Sequence, residues 1–79
     1  MPKSFRVEGE KLTAQLRTVR SQAGVTQAEL ARRLKLPQSF VSKYESGERR
    51  LDLVELRQIC KALGISLVEF VRRFEKENP

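Results

Sequence analysis

The stretch TQAELARRLKLPQSFVSKYES, residues 26–46, decides the fold. Thr26 followed three residues later by Glu29 is a helix start: the threonine oxygen can accept the Glu29 amide while the glutamate reaches back to the cap. Leu30, Ala31 and Leu34 then recur at helical spacing. Pro37 opens a second segment, because its fixed φ suits a first helical turn and its ring pushes Leu36 out of helical geometry. Only Lys35 and Leu36 separate the two segments, too short a link for an antiparallel hairpin. The two helices must therefore cross steeply, with the small Ala31 permitting close approach.

The same punctuation extends outward. Asp52 with Glu55 and Ser66 with Glu69 repeat the cap of Thr26 with Glu29, and Gly24, Gly47 and Gly64 each follow a periodic segment that they can close in the left-handed conformation. Five helices follow, near 9–23, 26–34, 37–46, 52–63 and 66–77, with no strand, so the fold class is all-α in a single domain over residues 9–77. Their apolar stripes should converge on one core: Leu12, Leu16, Val19, Ala23; Leu30, Ala31, Leu34; Leu53, Leu56, Ile59, Cys60, Leu63; Leu67, Phe70, Val71, Phe74. Residues 1–8 lack a clear period and are expected to form a flexible N-terminal segment, in which Lys3, Phe5, Arg6 and Val7 fray rather than make an ordered arm.

Seventy-nine residues suffice for one compact domain and leave no room for a second core or a deep cleft. The net charge of +6 is localised: residues 1–50 carry eleven basic and five acidic side chains, residues 51–79 five of each. A positive field on one part of a small domain attracts polyanions, with nucleic acid ahead of an acidic protein surface. Histidine is absent and Cys60 is the only cysteine, on the apolar stripe of a helix, so neither a disulfide, nor a transition-metal site, nor a reactive thiol is expected. No carboxylate pair falls in a recognisable pocket, so an enzyme is not expected, nor any cofactor. Without a signal peptide or a long apolar run, the chain is expected to be cytoplasmic, at the nucleoid, with no membrane partner and no evident small-molecule effector.

The crossing of residues 26–46 is helix-turn-helix geometry, and its second helix divides into two faces. With each residue about 100° from the last, Gln38, Ser39, Ser42, Lys43 and Ser46 share an arc of roughly 140°, while Val41 and Tyr44 point the other way. Residues 26–31 and 37–47, with Leu16-Arg17, Arg20, Gly24, residues 47–51 and Ala62-Leu63-Gly64, resemble the phage repressor and Cro (XRE-type) helix-turn-helix family. That resemblance implies a five-helix repressor-like domain, sequence-specific binding to a double-stranded DNA operator, and a two-fold homodimer. It also implies an ion pair between Arg20 and Glu45 joining the first helix to the reading helix. Lys35 departs from the pattern, since many members carry glycine in that turn, and a left-handed Lys there costs about 1 kcal/mol.

In this docking mode Gln38, Ser39 and Lys43 are the candidates for base contact: Gln can pair with adenine, Lys with guanine, and Ser with either. Phe40, at the margin of the polar face, either touches a thymine methyl or packs against the first helix. Gln27 opens its helix, where free amides favour a phosphate oxygen, and its side chain can bridge phosphate and Gln38. Ser42, Ser46, Arg49 and Arg50 extend the candidate phosphate contacts, whereas Arg32, Arg33 and Lys35 read as a solvated face. One reading helix covers few base pairs, so a homodimer on half-sites about 34 Å apart is expected, joined through Val68, Val71 and Phe74. The rival reading is a protein-binding module of the same fold, such as an antitoxin or an RNA polymerase accessory factor, for which the helix-3 surface would be dispensable.

Overall fold

A computed structural model describes residues 2–79, all of whose regular structure is helical. Helix α1 runs over Lys3–Gln22, α2 over Gln27–Leu34, α3 over Gln38–Ser46, α4 over Leu53–Ala62 and α5 over Leu67–Glu77. Met1 lies outside the described residues; the rest of the segment expected to fray is helical from Lys3. Nothing between Lys3 and Glu8 breaks a helix, and Gly9 lowers helix propensity by only about 1 kcal/mol. The missing apolar period reflects instead that this part buries little: Phe5 is exposed and only Val7 is partly covered.

Side chains from all five helices meet in one core, in which Leu16, Leu30, Val41, Tyr44, Ile59, Cys60 and Phe70 are fully enclosed. Enclosure raises the Cys60 thiol pKa to about 11, so it stays protonated. Four residues of the expected stripes lie outside this core, the half-buried Phe74 among them. Ala23 caps the end of α1 at the surface, Leu53 is the first residue of α4 and stands beyond the core's edge, and Val71 is on the outer flank of α5. Gln15 is drawn in because its amide donates to the Phe70 carbonyl at 2.9 Å, fastening α1 to α5. Among the described residues no helix is long and apolar enough to cross a membrane.

All three expected caps form at the amide of the third helical residue: Thr26, Asp52 and Ser66 accept from Glu29, Glu55 and Glu69. Only Asp52 is reciprocated, with Glu55 accepting the Asp52 amide at 2.9 Å. Glu29 and Glu69 turn instead to the arginines one turn on, Arg32 and Arg33 or Arg72 and Arg73, because a charged partner outbids a neutral amide.

Helices α1, α2 and α4 end alike. A left-handed residue follows each, and the next amide reaches five residues back: Val25 to Arg20, Leu36 to Ala31 and Ile65 to Cys60, at 3.0–3.1 Å. The left-handed position is Gly24 after α1 and Gly64 after α4, but Lys35 after α2, at φ 59°. The turn that sets the α2–α3 crossing thus carries a side chain where backbone sterics favour none.

Candidate nucleic-acid interface

Helix α3 is held from behind. Val41, Tyr44 and Glu45 are buried, while Gln38, Ser39, Lys43 and Ser46 are exposed and Ser42 is partly so. The side chains of Gln38 and Lys43 make no hydrogen bond or ion pair with another described residue. Pro37 supplies no side-chain cap, so the positive end of α3 lies beside Gln38 and Ser39 without a competing acceptor. The hydroxyls of Ser42 and Ser46 donate back to the Ser39 and Lys43 carbonyls, at 3.2 and 3.0 Å. They would have to rotate outward to donate to a phosphate.

The anchor of α3 is Glu45, whose side chain is 2% exposed. Its Oε2 accepts from Arg20 Nε at 2.7 Å, and its Oε1 from Arg20 Nη2 and Gln27 Nε2, each at 2.9 Å. Arg17 stands 3.7 Å from the same carboxylate and donates to the Glu45 carbonyl at 2.9 Å. Burial on its own pushes the Glu45 carboxyl upward; the bonds from Arg20 and Gln27 and the two guanidinium charges outweigh it and hold the group below the usual carboxylate range. Helices α1, α2 and α3 are therefore keyed together at one carboxylate, and Arg20 and Glu45 pair as the resemblance implies.

This arrangement changes the place of Gln27. Its side-chain amide, expected to bridge phosphate and Gln38, is spent on Glu45, since Glu45 projects from α3 toward the start of α2. Its backbone N–H still opens the positive end of α2. Arg49, a candidate phosphate contact, is also engaged within the domain. Its Nη1 and Nη2 bind both Glu55 oxygens, at 3.1 and 2.6 Å, and Nη1 also donates to the Arg50 carbonyl. These hydrogen bonds, donated by Arg49 to the Glu55 carboxylate, raise the Arg49 pKa and lower that of Glu55.

The same guanidinium lies 4.6 Å from the centre of the Phe40 ring, which meets Tyr44 edge-on at 5.7 Å. Phe40 is thus partly covered, with the Arg49 guanidinium over its face and Tyr44 at its edge. Arg50 is exposed. Val68 and Val71 are 66% and 42% exposed, and Phe74 is half-buried. Sequence reasoning missed Arg17, Glu55 and the exposed Leu53 and Val54; the spacing of Arg49 just ahead of an acidic cap is the one signal that pointed to the Arg49–Glu55 clasp.

Comparisons with known proteins agree with this geometry. Residues 16–70 match the helix-turn-helix family model. The structure superposes on an XRE-family-like protein from Pseudomonas syringae pv. tomato with a TM-score of 0.86 and 42% identity, covering 92% of this chain and 89% of that one. It is also similar to the restriction-modification controller protein C.Esp1396I, at TM-score 0.82 and 30% identity, over 89% of this chain and 90% of that one. The control protein C.MunI from a Mycoplasma species is 36% identical over 53 residues, 67% of this chain and 72% of that protein. On these matches the chain belongs to the XRE-type helix-turn-helix family.

Proposed function

We infer that this protein is a DNA-binding transcriptional regulator that reads the major groove with α3. The carrying observation is the division of α3 into a buried anchor and an exposed polar face on which the side chains of Gln38, Ser39 and Lys43 make no hydrogen bond or ion pair with another described residue. Gln38 and Ser39, at the uncapped end, are the leading base contacts, and Lys43 one turn on is the third. The backbone amide of Gln27, the hydroxyls of Ser42 and Ser46, and Arg50 hold phosphate. The Gln27 side chain and Arg49 position the reader. C.Esp1396I has been solved as a nucleoprotein complex, at TM-score 0.80 to this chain, which supports the same use of this fold.

Two copies bind a two-fold operator. Val68 and Val71 lead the contact because they are the exposed apolar residues of α5, and Phe74 flanks them. Selection from random duplex DNA tests the reading. An enriched site is expected, at which Gln38→Ala relaxes one position by about 1–3 kcal/mol. No enrichment at moderate salt would refute it. Sedimentation of Val71→Glu tests the interface separately, and an undisturbed dimer would remove Val71 from it.

A further inference from the structure

A groove of about 470 Å³ runs between the end of α2, the turn at Lys35–Leu36 and the outer face of α4. Its walls are apolar: Leu36 and Val54 are 44% and 67% exposed, and Leu34, Phe40, Ile59 and Ala62 line the remainder. Its rim is basic. Arg33 bridges the two sides by donating to the Ala62 carbonyl at 2.9 Å, and the exposed side chains of Lys35 and Lys61 make no hydrogen bond or ion pair with another described residue. The one carboxylate in the lining, Glu55, is already clasped by Arg49. Lys35 holds its cation there from the left-handed position where the two matching helix ends have glycine.

We propose that this groove docks an acidic amphipathic segment of a partner protein, inserting apolar side chains between Leu36 and Val54 and setting carboxylates against Lys35 and Lys61. Two other occupants fit less well. A phosphate backbone satisfies the rim but offers nothing apolar to cover Leu36 and Val54, and exposed apolar surface of this kind is removed from water only by an apolar partner. A second copy presenting α5 would offer Val68 and Val71 on a helix of three acidic and three basic side chains, whose Glu69 is already paired with Arg72 and Arg73, and so brings no net negative charge to a basic rim. The docking is additional to DNA reading, since none of Gln38, Ser39 and Lys43 lines the groove.

Titration of the isotope-labelled full chain with a synthetic peptide, two leucines one helical turn apart among glutamates, tests this by amide chemical shifts. Saturable shifts are expected at Leu34, Leu36, Val54 and Lys61, and none with the counterpart in which lysine replaces glutamate. Val54→Glu and Lys61→Glu should each weaken the peptide at least about tenfold, while Arg57→Glu, an equal charge change on α4 outside the groove, leaves it unchanged. Circular dichroism melts of the three variants separate lost docking from lost folding. The proposal is overturned by absence of saturation up to about 1 mM, by equal binding of the lysine peptide, or by shifts confined to other faces. It is equally overturned if duplex DNA, or simply raising the protein concentration, moves the same amides.

Discussion

Replacing Glu45 by alanine removes the carboxylate on which three helices converge. Its side chain is 2% exposed and that of Arg20 is 14% exposed, so the variant leaves a guanidinium largely out of water with its Val25 carbonyl bond, 2.9 Å, as the surviving contact. Loss of one partner from such a pair costs about 3–5 kcal/mol. Arg20 retains an edge to solvent, which places this case near the lower bound, about 3 kcal/mol. A 79-residue domain has a total stability of roughly 4–12 kcal/mol, so the substitution removes between a quarter and most of it. At about 4–8 °C per kcal/mol, the midpoint of thermal unfolding falls by roughly 12–24 °C.

The pH dependence follows from the depressed Glu45 pKa. The stabilisation is complete above the ordinary carboxylate value of 4.5 and drains away as pH falls through the lower folded value. Melts of wild type and Glu45→Gln between neutral pH and pH 3 should therefore converge as the acid is added. Arg20→Met with Glu45→Leu should recover most of the loss, because no charge is left stranded. A loss below about 1 kcal/mol for Glu45→Ala, the scale of an exposed pair, or a constant gap between the two acid profiles, would refute the reasoning.

Lys35→Gly should raise stability by about 1 kcal/mol in a denaturant titration, and should weaken any acidic peptide held at the neighbouring groove. Gly9→Ala should add about 0.5–1 kcal/mol, since a Cβ there meets no atom within 4 Å and α1 is continuous through it; thermal melts check this. Lys43→Ala should relax the preference at one operator position by about 1–3 kcal/mol in competition binding, whereas Arg49→Ala should act mainly by freeing the 47–52 loop, lowering the melting temperature of the free protein.

Local signals carried far in this chain. Caps at Thr26, Asp52 and Ser66, and the turn at Leu36-Pro37, depend on contacts within one or two helical turns, so the element order and the two faces of α3 follow from residue spacing. The places of Gln27, Phe40 and Arg49 do not. Each is set by a partner brought near by folding: Glu45 for Gln27, and Glu55 and the ring stack for the other two. A helical wheel of α3 shows which way Phe40 leaves its own axis and nothing of the arginine lying over it. Long polar side chains reach several neighbours, and the charge of those neighbours decides among them. The early start of α1 was hidden for a different reason: a helix that buries little leaves no apolar period to read.

Because α3 is fastened through Val41, Tyr44 and Glu45 while the side chains of Gln38, Ser39 and Lys43 make no hydrogen bond or ion pair with another described residue, the groups that choose a target are insulated from those that keep the protein folded. Exchanges at such surface positions typically shift stability by no more than about 0.5 kcal/mol. Re-targeting can therefore proceed one side chain at a time, with every intermediate sequence still folding, and descendants of this chain could drift apart in the DNA they recognise long before they differ in architecture.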